Sequence, residues 1–393
     1  MSFLANLGRA FGRRRKIFHN ERKIDAFRFD TVLIPSAARS WATDSRPKLT
    51  SILAFINKIG YIHMKHITTP PPPPKTANRN LNSARLSKQD EFYTRLSDIE
   101  QEMQHYREYF KGRVVYCNCD DPRASNFFHF FSHQFERFGL KKLIASCYQN
   151  LSPDIFSLHE SPRAVYLEYE GDKDNNRVPN ADEIEVKEFK DDGDFRNDES
   201  IELLKKSDIV VTNPPFSLFR EYVAQLLKYK KKFIIIGNFN AVTYRETQKN
   251  IKENEIWLGV SRRGMTFDTP YGEKSVNACW YTNLPHQKRN QEIVLHRRFS
   301  RKEYPEFDNI KAIHVERVSE IPCDYDEVMG VPITFLEKYN PNQFEILGLC
   351  LDVFRGNLPQ CENPHWKGSM TVPLVSGKKT YRRLLIKKRN SKS

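Results

Sequence analysis

Residues 213–216 read Asn-Pro-Pro-Phe, directly after the apolar run Asp208-Ile209-Val210-Val211-Thr212. Proline fixes its own φ and pushes the residue before it into an extended conformation. Neither Pro214 nor Pro215 can donate a backbone hydrogen bond, so the segment presents mainly acceptors. The Asn213 amide oxygen and the Pro214 carbonyl make an acceptor pair on a stiff backbone, matched to the two N–H donors of an exocyclic amine. Phe216 supplies an apolar face on which a planar base can stack. The plainer alternative is a strand ended by prolines, with Phe216 simply buried. Such a tetrapeptide arises by chance in about one chain in a hundred of this length, which favours substrate handling.

If the group delivered to that amine is a methyl, a sulfonium donor has to lie beside the acceptor pair. Three segments suit it. Cys117–Phe128 (CNCDDPRASNFF) runs from a strand end into a helix start. There Asp120, Asp121 and Pro122, followed by the small Ala124 and Ser125, can turn around a cofactor near a helix N-terminus. An acidic turn that only caps the helix explains the same residues equally well, because the glycines of common cofactor turns are absent. Asp191–Arg196 (DDGDFR) is a second turn before a helix, with Asp194 and Phe195 able to bond and stack on an adenine ring. Asp90–Thr94 (DEFYT) places Phe92, Tyr93 and Thr94 just before the first helix. No metal is expected: His129 and His133 have a spacing that zinc can use, but no third ligand motif accompanies them.

The elements that must position these residues alternate along the chain. Strands are predicted at 113–119, 141–148, 208–213, 231–238, 254–260 and 277–284, with helices at 125–139, 199–207, 216–230 and 243–254. Ser97 and Glu100 have capping-box spacing before a first helix whose Leu96, Ile99, Met103, Tyr106 and Phe110 recur at helical intervals. Such alternation predicts an α/β fold with a mainly parallel sheet and helices on both faces. In that architecture ligands bind beyond the carboxyl ends of the strands, where Asn213 falls. Residues 164–170 and 183–190 interrupt the pattern and read as an acidic hairpin facing away from any nucleic acid. Trp280 and Tyr281, on the last predicted strand, are expected to pack in the core rather than to wall a pocket.

Residues 70–74 are five consecutive prolines before a polar stretch, the composition of an extended tether. That divides the chain into an N-terminal extension and linker (1–85), a catalytic domain (86–285) and a C-terminal region (286–393). Met64 stands where translation could also begin, and residues 1–63 read equally as a dispensable extension or a functional arm. The 393 residues carry a net charge of +14 and a pI near 9.3, which implies a polyanionic partner. The C-terminal run 378–393 is strongly basic and is expected to touch phosphate as a tail. Seven cysteines without a repeated spacing indicate a reduced intracellular protein. No stretch has the length and apolarity of a membrane span or a secretory signal.

DEFYT, CDDPRASNFF, GDFR and TNPPFSLF, in this order, resemble the EcoRI-type adenine-specific DNA methyltransferase family. The similarity runs from about Leu86 to Phe344 and includes YDEVMGVPITFL near its end. It implies a Rossmann-like fold that binds S-adenosylmethionine and methylates N6 of an adenine flipped out of duplex DNA. It also implies a restriction endonuclease as functional counterpart and a cytoplasmic or nucleoid setting in a bacterial cell. A monomer is expected. By position, Phe92 and Thr94 border the methionine end of the cofactor, and Asp121 approaches it from the first strand. Asp194 accepts from the cofactor's adenine amine, with Phe195 packed on that ring. Asn213, Pro214, Pro215 and Phe216 hold the target adenine. Segments 259–277 and 345–377 depart from the family's pattern, as does the missing acidic residue after the second strand. Two other readings fit the residues. One is a methyltransferase acting on an RNA base or a protein glutamine; the other is an inactive DNA-binding relative.

Overall fold

The structure, a computed structural model, describes residues 93–119, 125–148, 164–176, 178–180, 182–269 and 272–389. Phe92, Asp121, the N-terminal extension and the proline tether lie outside the described residues. The described residues begin with β1 (Tyr93–Thr94), α1 (Leu96–Met103), α2 (Arg107–Phe110) and β2 (Val114–Asn118). Next come α3 (Asn126–His133), α4 (Phe135–Phe138), β3 (Lys142–Ser146), β4 (Val165–Tyr169), β5 (Ile184–Glu188) and α5 (Asp198–Lys206). Then follow β6 (Ile209–Thr212), α6 (Phe219–Lys228), β7 (Lys232–Asn238), α7 (Arg245–Lys252), β8 (Trp257–Leu258), β9 (Met265–Thr269), β10 (Gly272–Val276) and β11 (Ala278–Thr282). The last third holds β12 (Ile313–His314), β13 (Met329–Pro332), β14 (Phe344–Leu349), α8 (Cys350–Phe354), β15 (Leu374–Val375), β16 (Lys378–Lys379) and β17 (Arg383–Lys388). Among the described residues, no helix is long and apolar enough to cross a membrane.

Eight strands form one mixed sheet in the order β5-β4-β3-β2-β6-β7-β11-β8. Only the centre is parallel: β2 pairs in parallel with β3 and β6, and β6 with β7. The expected mainly parallel sheet is therefore antiparallel on both flanks. The β4–β5 hairpin, anticipated as an insertion, adds to the β3 edge in antiparallel register, and β11 and β8 extend the other edge. A hairpin can join an edge this way because antiparallel pairing needs no crossover helix.

The two faces follow the period of two along each strand. Tyr116, Ile144, Val210, Phe233 and Ile235 share one apolar cluster with Leu203 and Leu204 of α5 and with Phe219, Tyr222, Val223 and Leu226 of α6. Val115, Leu143, Ile209, Val211, Ile234 and Ile236 point the other way, onto Ile99, Met103, Tyr106 and Phe110 and the phenylalanines of α3 and α4. Helices thus cover both faces. Trp280 and Tyr281 are buried in these clusters, as expected for core residues. The first helix corrects one expectation: it starts at Leu96 after Arg95, and no side chain caps it, so Ser97 lies inside the first turn.

Gly237, near the end of β7, is required by packing. A Cβ there would lie within 2.9 Å of three ring atoms of Phe219, the first residue of α6. Phe219 is itself wedged against Tyr281 with ring centroids 4.8 Å apart, so it has nowhere to retreat. Gly237→Ala is expected to destabilise the chain by about 1–3 kcal/mol through overpacking. Thermal unfolding checks it; an unchanged Tm would show that the α6–β7 contact yields without cost.

A second sheet, order β12-β13-β17-β14, lies in the C-terminal third. Its inner strand β17 comes from the basic run expected to be a tail. Leu384, Leu385 and Ile386 are fully buried, and β17 pairs with β13 on one side and β14 on the other. Three consecutive apolar residues outweigh the flanking charge: Lys378, Lys379 and Arg382 stay exposed, while the buried Arg383 pairs with Glu316 at 3.3 Å. None of the seven cysteines is joined in a disulfide.

Candidate active site

The parallel centre of the main sheet aligns the carboxyl ends of β3, β2, β6 and β7 along one edge. That edge carries Ser146, Asn118, Asn213 and Asn238 in turn. Asn213 follows the last residue of β6 and is buried, as is Pro214, whereas Pro215 and Phe216 are half-buried. The Pro215 carbonyl accepts from the Leu218 backbone N–H at 3.0 Å, which closes a 3₁₀ turn over Phe216–Leu218 that leads into α6. Among the described residues, no backbone N–H donates to the Pro214 carbonyl.

Phe216 meets Phe267 of β9 edge-on, with centroids 6.4 Å apart and planes at 76°. Phe267 in turn pairs with Thr94, because β1 runs antiparallel to β9. The Thr94 carbonyl accepts from Asn126 Nδ2 at 2.7 Å, tying β1 to the first residue of α3. Ser125 caps that helix by accepting from the Phe127 N–H. The Thr94 hydroxyl is buried and has no hydrogen-bond partner among the described residues. Thr94 and Phe216, 122 positions apart, therefore share one neighbour. Arg95 holds the β9–β10 hairpin in place through Asp268 (3.2 Å) and Glu273 (2.5 Å). Phe267 carries no signal in the sequence: it lies in the segment that departs from the family's pattern.

The Asp191–Arg196 turn packs on the end of β3. Gly193 adopts a positive φ of 71°, and a Cβ there would sit 2.5 Å from the Cys147 carbonyl, so this approach needs glycine. Asp191, Asp192 and Asp194 each accept a backbone N–H two residues on, which stiffens the turn. The Asp194 carboxylate is also gripped by the Arg196 guanidinium at 2.8 and 2.6 Å, which holds its pKa below the usual carboxylate range. Phe195 is nearly buried; its ring packs edge-on against Tyr222 at 5.0 Å, with the Arg196 guanidinium over it at 5.4 Å. The Tyr222 hydroxyl donates to the Asn118 amide oxygen at the end of β2. Neither Tyr222 nor Asn118 stood out in the sequence, since a tyrosine on an apolar helix face reads as core.

His133 has one ring nitrogen on the His129 carbonyl at 2.8 Å, a backbone partner within its own helix. His286, elsewhere in the fold, is pushed down to about 4 by burial. It sits on the Leu258 carbonyl, away from the β6 end.

The sequence pattern of the family described as adenine-specific methyltransferase EcoRI matches residues 80–389. The match thus extends beyond Phe344, where the visible resemblance ended. Type II methyltransferase M.EcoRI of Escherichia coli is 48% identical over 331 residues, covering 79% of this chain and 96% of its own length. Type II methyltransferase M.MpnI of Mycoplasma pneumoniae is 37% identical, covering 79% of this chain and 98% of its own length. Type II methyltransferase M.MgeORF184P of Mycoplasma genitalium is 34% identical with the same two coverages, 79% and 98%. No solved structure matches the chain. With a proline-stiffened acceptor motif at the carboxyl edge of a mixed α/β sheet, and with relatives matched over nearly their whole length, the chain belongs to the EcoRI family of adenine-specific methyltransferases.

Proposed function

We propose that the chain methylates N6 of one adenine, flipped out of duplex DNA, within a short recognition sequence. The observation that carries this reading is Asn213-Pro214-Pro215-Phe216 at the end of β6, with the Pro214 carbonyl left to accept. S-adenosylmethionine, when bound, supplies an electrophilic methyl on its sulfonium sulfur. Two features suit that cofactor: the Thr94 hydroxyl, buried without a hydrogen-bond partner among the described residues, and the Gly193 turn, built for close approach. Thr94, with Phe92, would border its methionine end. Asp121 would meet it from the end of β2, Asp194 would accept from its adenine amine, and Phe195 would pack on that ring.

The Asn213 amide oxygen and the Pro214 carbonyl accept the two N6 hydrogens, which turns the nitrogen lone pair out of the conjugated plane and towards the methyl. Phe216 stacks on the target base, and Phe267 backs Phe216. With the cofactor bound, its S–C bond would break as N6 took the methyl, and the extra N6 proton would then pass to solvent. Positioning and oriented acceptors do the work, with no covalent enzyme intermediate and no metal.

The division into residues 1–85, 86–285 and 286–393 assigns catalysis to the middle segment and DNA recognition to the last. The Type II names of the relatives support a restriction–modification role with an endonuclease as counterpart, in the cytoplasm of a bacterial cell. A monomer suffices, since one chain carries both clusters around the β6 end. The test is expression in a host lacking adenine methylation, followed by modification-sensitive sequencing of its DNA. N6-methyladenine at one recurring short sequence is expected. Unmodified DNA alongside a folded, cofactor-binding chain would overturn the DNA reading and leave the RNA or protein amine.

A further inference from the structure

We infer that Tyr222 is a positioning residue of the cofactor site, holding Asn118 and Phe195 in register with the target-base motif that opens its own helix. The inference rests on the cofactor reading above. Tyr222 lies six residues after Phe216, inside α6, and its ring is almost wholly buried. A phenylalanine would fill the same space. A buried hydroxyl is retained at a cost of about 1–3 kcal/mol if it lacks a partner, so its use has to be found in the bond that it makes.

That bond goes to Asn118, the last residue of β2 and a buried polar side chain among apolar strands. Two residues back on the same face of β2, the Tyr116 hydroxyl lies 2.7 Å from Ser146 Oγ at the end of β3. Two buried polar pairs thus lie side by side, one across the carboxyl ends of β3 and β2 and one from β2 into α6. Just beyond Asn118 the backbone turns sharply: Cys119 has φ of 83°, a left-handed conformation disfavoured for any residue with a Cβ. Asn118 is therefore the last residue of β2 before this bend, three positions ahead of Asp121 in the sequence. On its other side the Tyr222 ring supports Phe195 edge-on, and Gln225, one turn further along α6, donates to the Phe195 carbonyl at 2.9 Å. One helix consequently carries Phe216 at its entry and fixes both the β2 end and the Phe195 ring from its next turn.

The test titrates S-adenosylhomocysteine into the full chain by calorimetry, beside steady-state methylation. Tyr222→Phe is expected to weaken S-adenosylhomocysteine about tenfold while kcat at saturating cofactor stays within about twofold. Asn118→Ala is expected to show a similar loss, and adding Tyr222→Phe to it should change affinity less than about twofold, as for two residues acting through one contact. Ile386→Val, a core change in the second sheet, should leave the affinity unaltered. Should Tyr222→Phe not fold, Asn118→Ala alone carries the test. Affinity within twofold of the parent in either variant, or losses that multiply in the double variant, would overturn the inference. A parent chain that binds no S-adenosylhomocysteine would overturn the cofactor reading itself, which separates the two failures.

Discussion

Asn213→Ala is expected to lower kcat by about 10²–10³-fold while S-adenosylhomocysteine affinity stays within a few-fold. The asymmetry follows from the location of the side chain. Asn213 sits one residue beyond β6 beside the Pro214 carbonyl, whereas Thr94, Asp194 and Phe195 are reached from other elements. In the proposed mechanism, removing the amide takes away one of the two acceptors that orient N6, and the remaining carbonyl would not set the lone pair by itself. Single-turnover methylation with saturating duplex isolates the chemical step, and calorimetry reads the cofactor. A collapse in cofactor affinity with kcat preserved would mean that Asn213 belongs to the cofactor pocket and that the division of the site is wrong.

Phe216→Ala is expected to remove the fluorescence rise of 2-aminopurine placed at the target position and to lower kcat/KM about 10–100-fold, in line with the loss of one base–aromatic stack of about 1–3 kcal/mol. Phe216 is half-buried at the entry to α6 and meets Phe267 edge-on, so part of its surface is exposed beside Asn213 and Pro214. Phe267→Ala offers the comparison within the same contact: it should weaken the signal less, since it acts only by backing Phe216. A full 2-aminopurine response from Phe216→Ala would assign the stacking face to another residue.

Much of the scaffold was legible from local pattern. Apolar alternation located β2, β3, β6, β7 and β11, and helical spacing placed Ile99, Met103, Tyr106 and Phe110 on one buried face. These features depend on neighbours a few residues apart, and the period of side-chain burial records them directly. The exception in that first helix is instructive. Ser97 and Glu100 matched a capping pattern, yet the helix begins one residue earlier, because a short motif cannot say which turn it occupies. The C-terminal run shows the opposite limit. Its charge suggested an exposed tail, while Leu384, Leu385 and Ile386 made it the inner strand of a sheet whose partners lie about 40 and 55 residues upstream.

By itself the sequence determined the acceptor motif at a strand end, the order of the strand and helix segments, and the family to which the chain is similar. Only the tertiary structure decided which way the flanking strands run, that Phe267 stands between Thr94 and Phe216, and that Tyr222 reaches Asn118 from 104 residues away. The physical reason is the same in each case. Periodicity reports which face of an element is buried, but the partner on that face is chosen by the packing of the whole chain. A single buried hydroxyl or ring leaves no periodic trace of the choice.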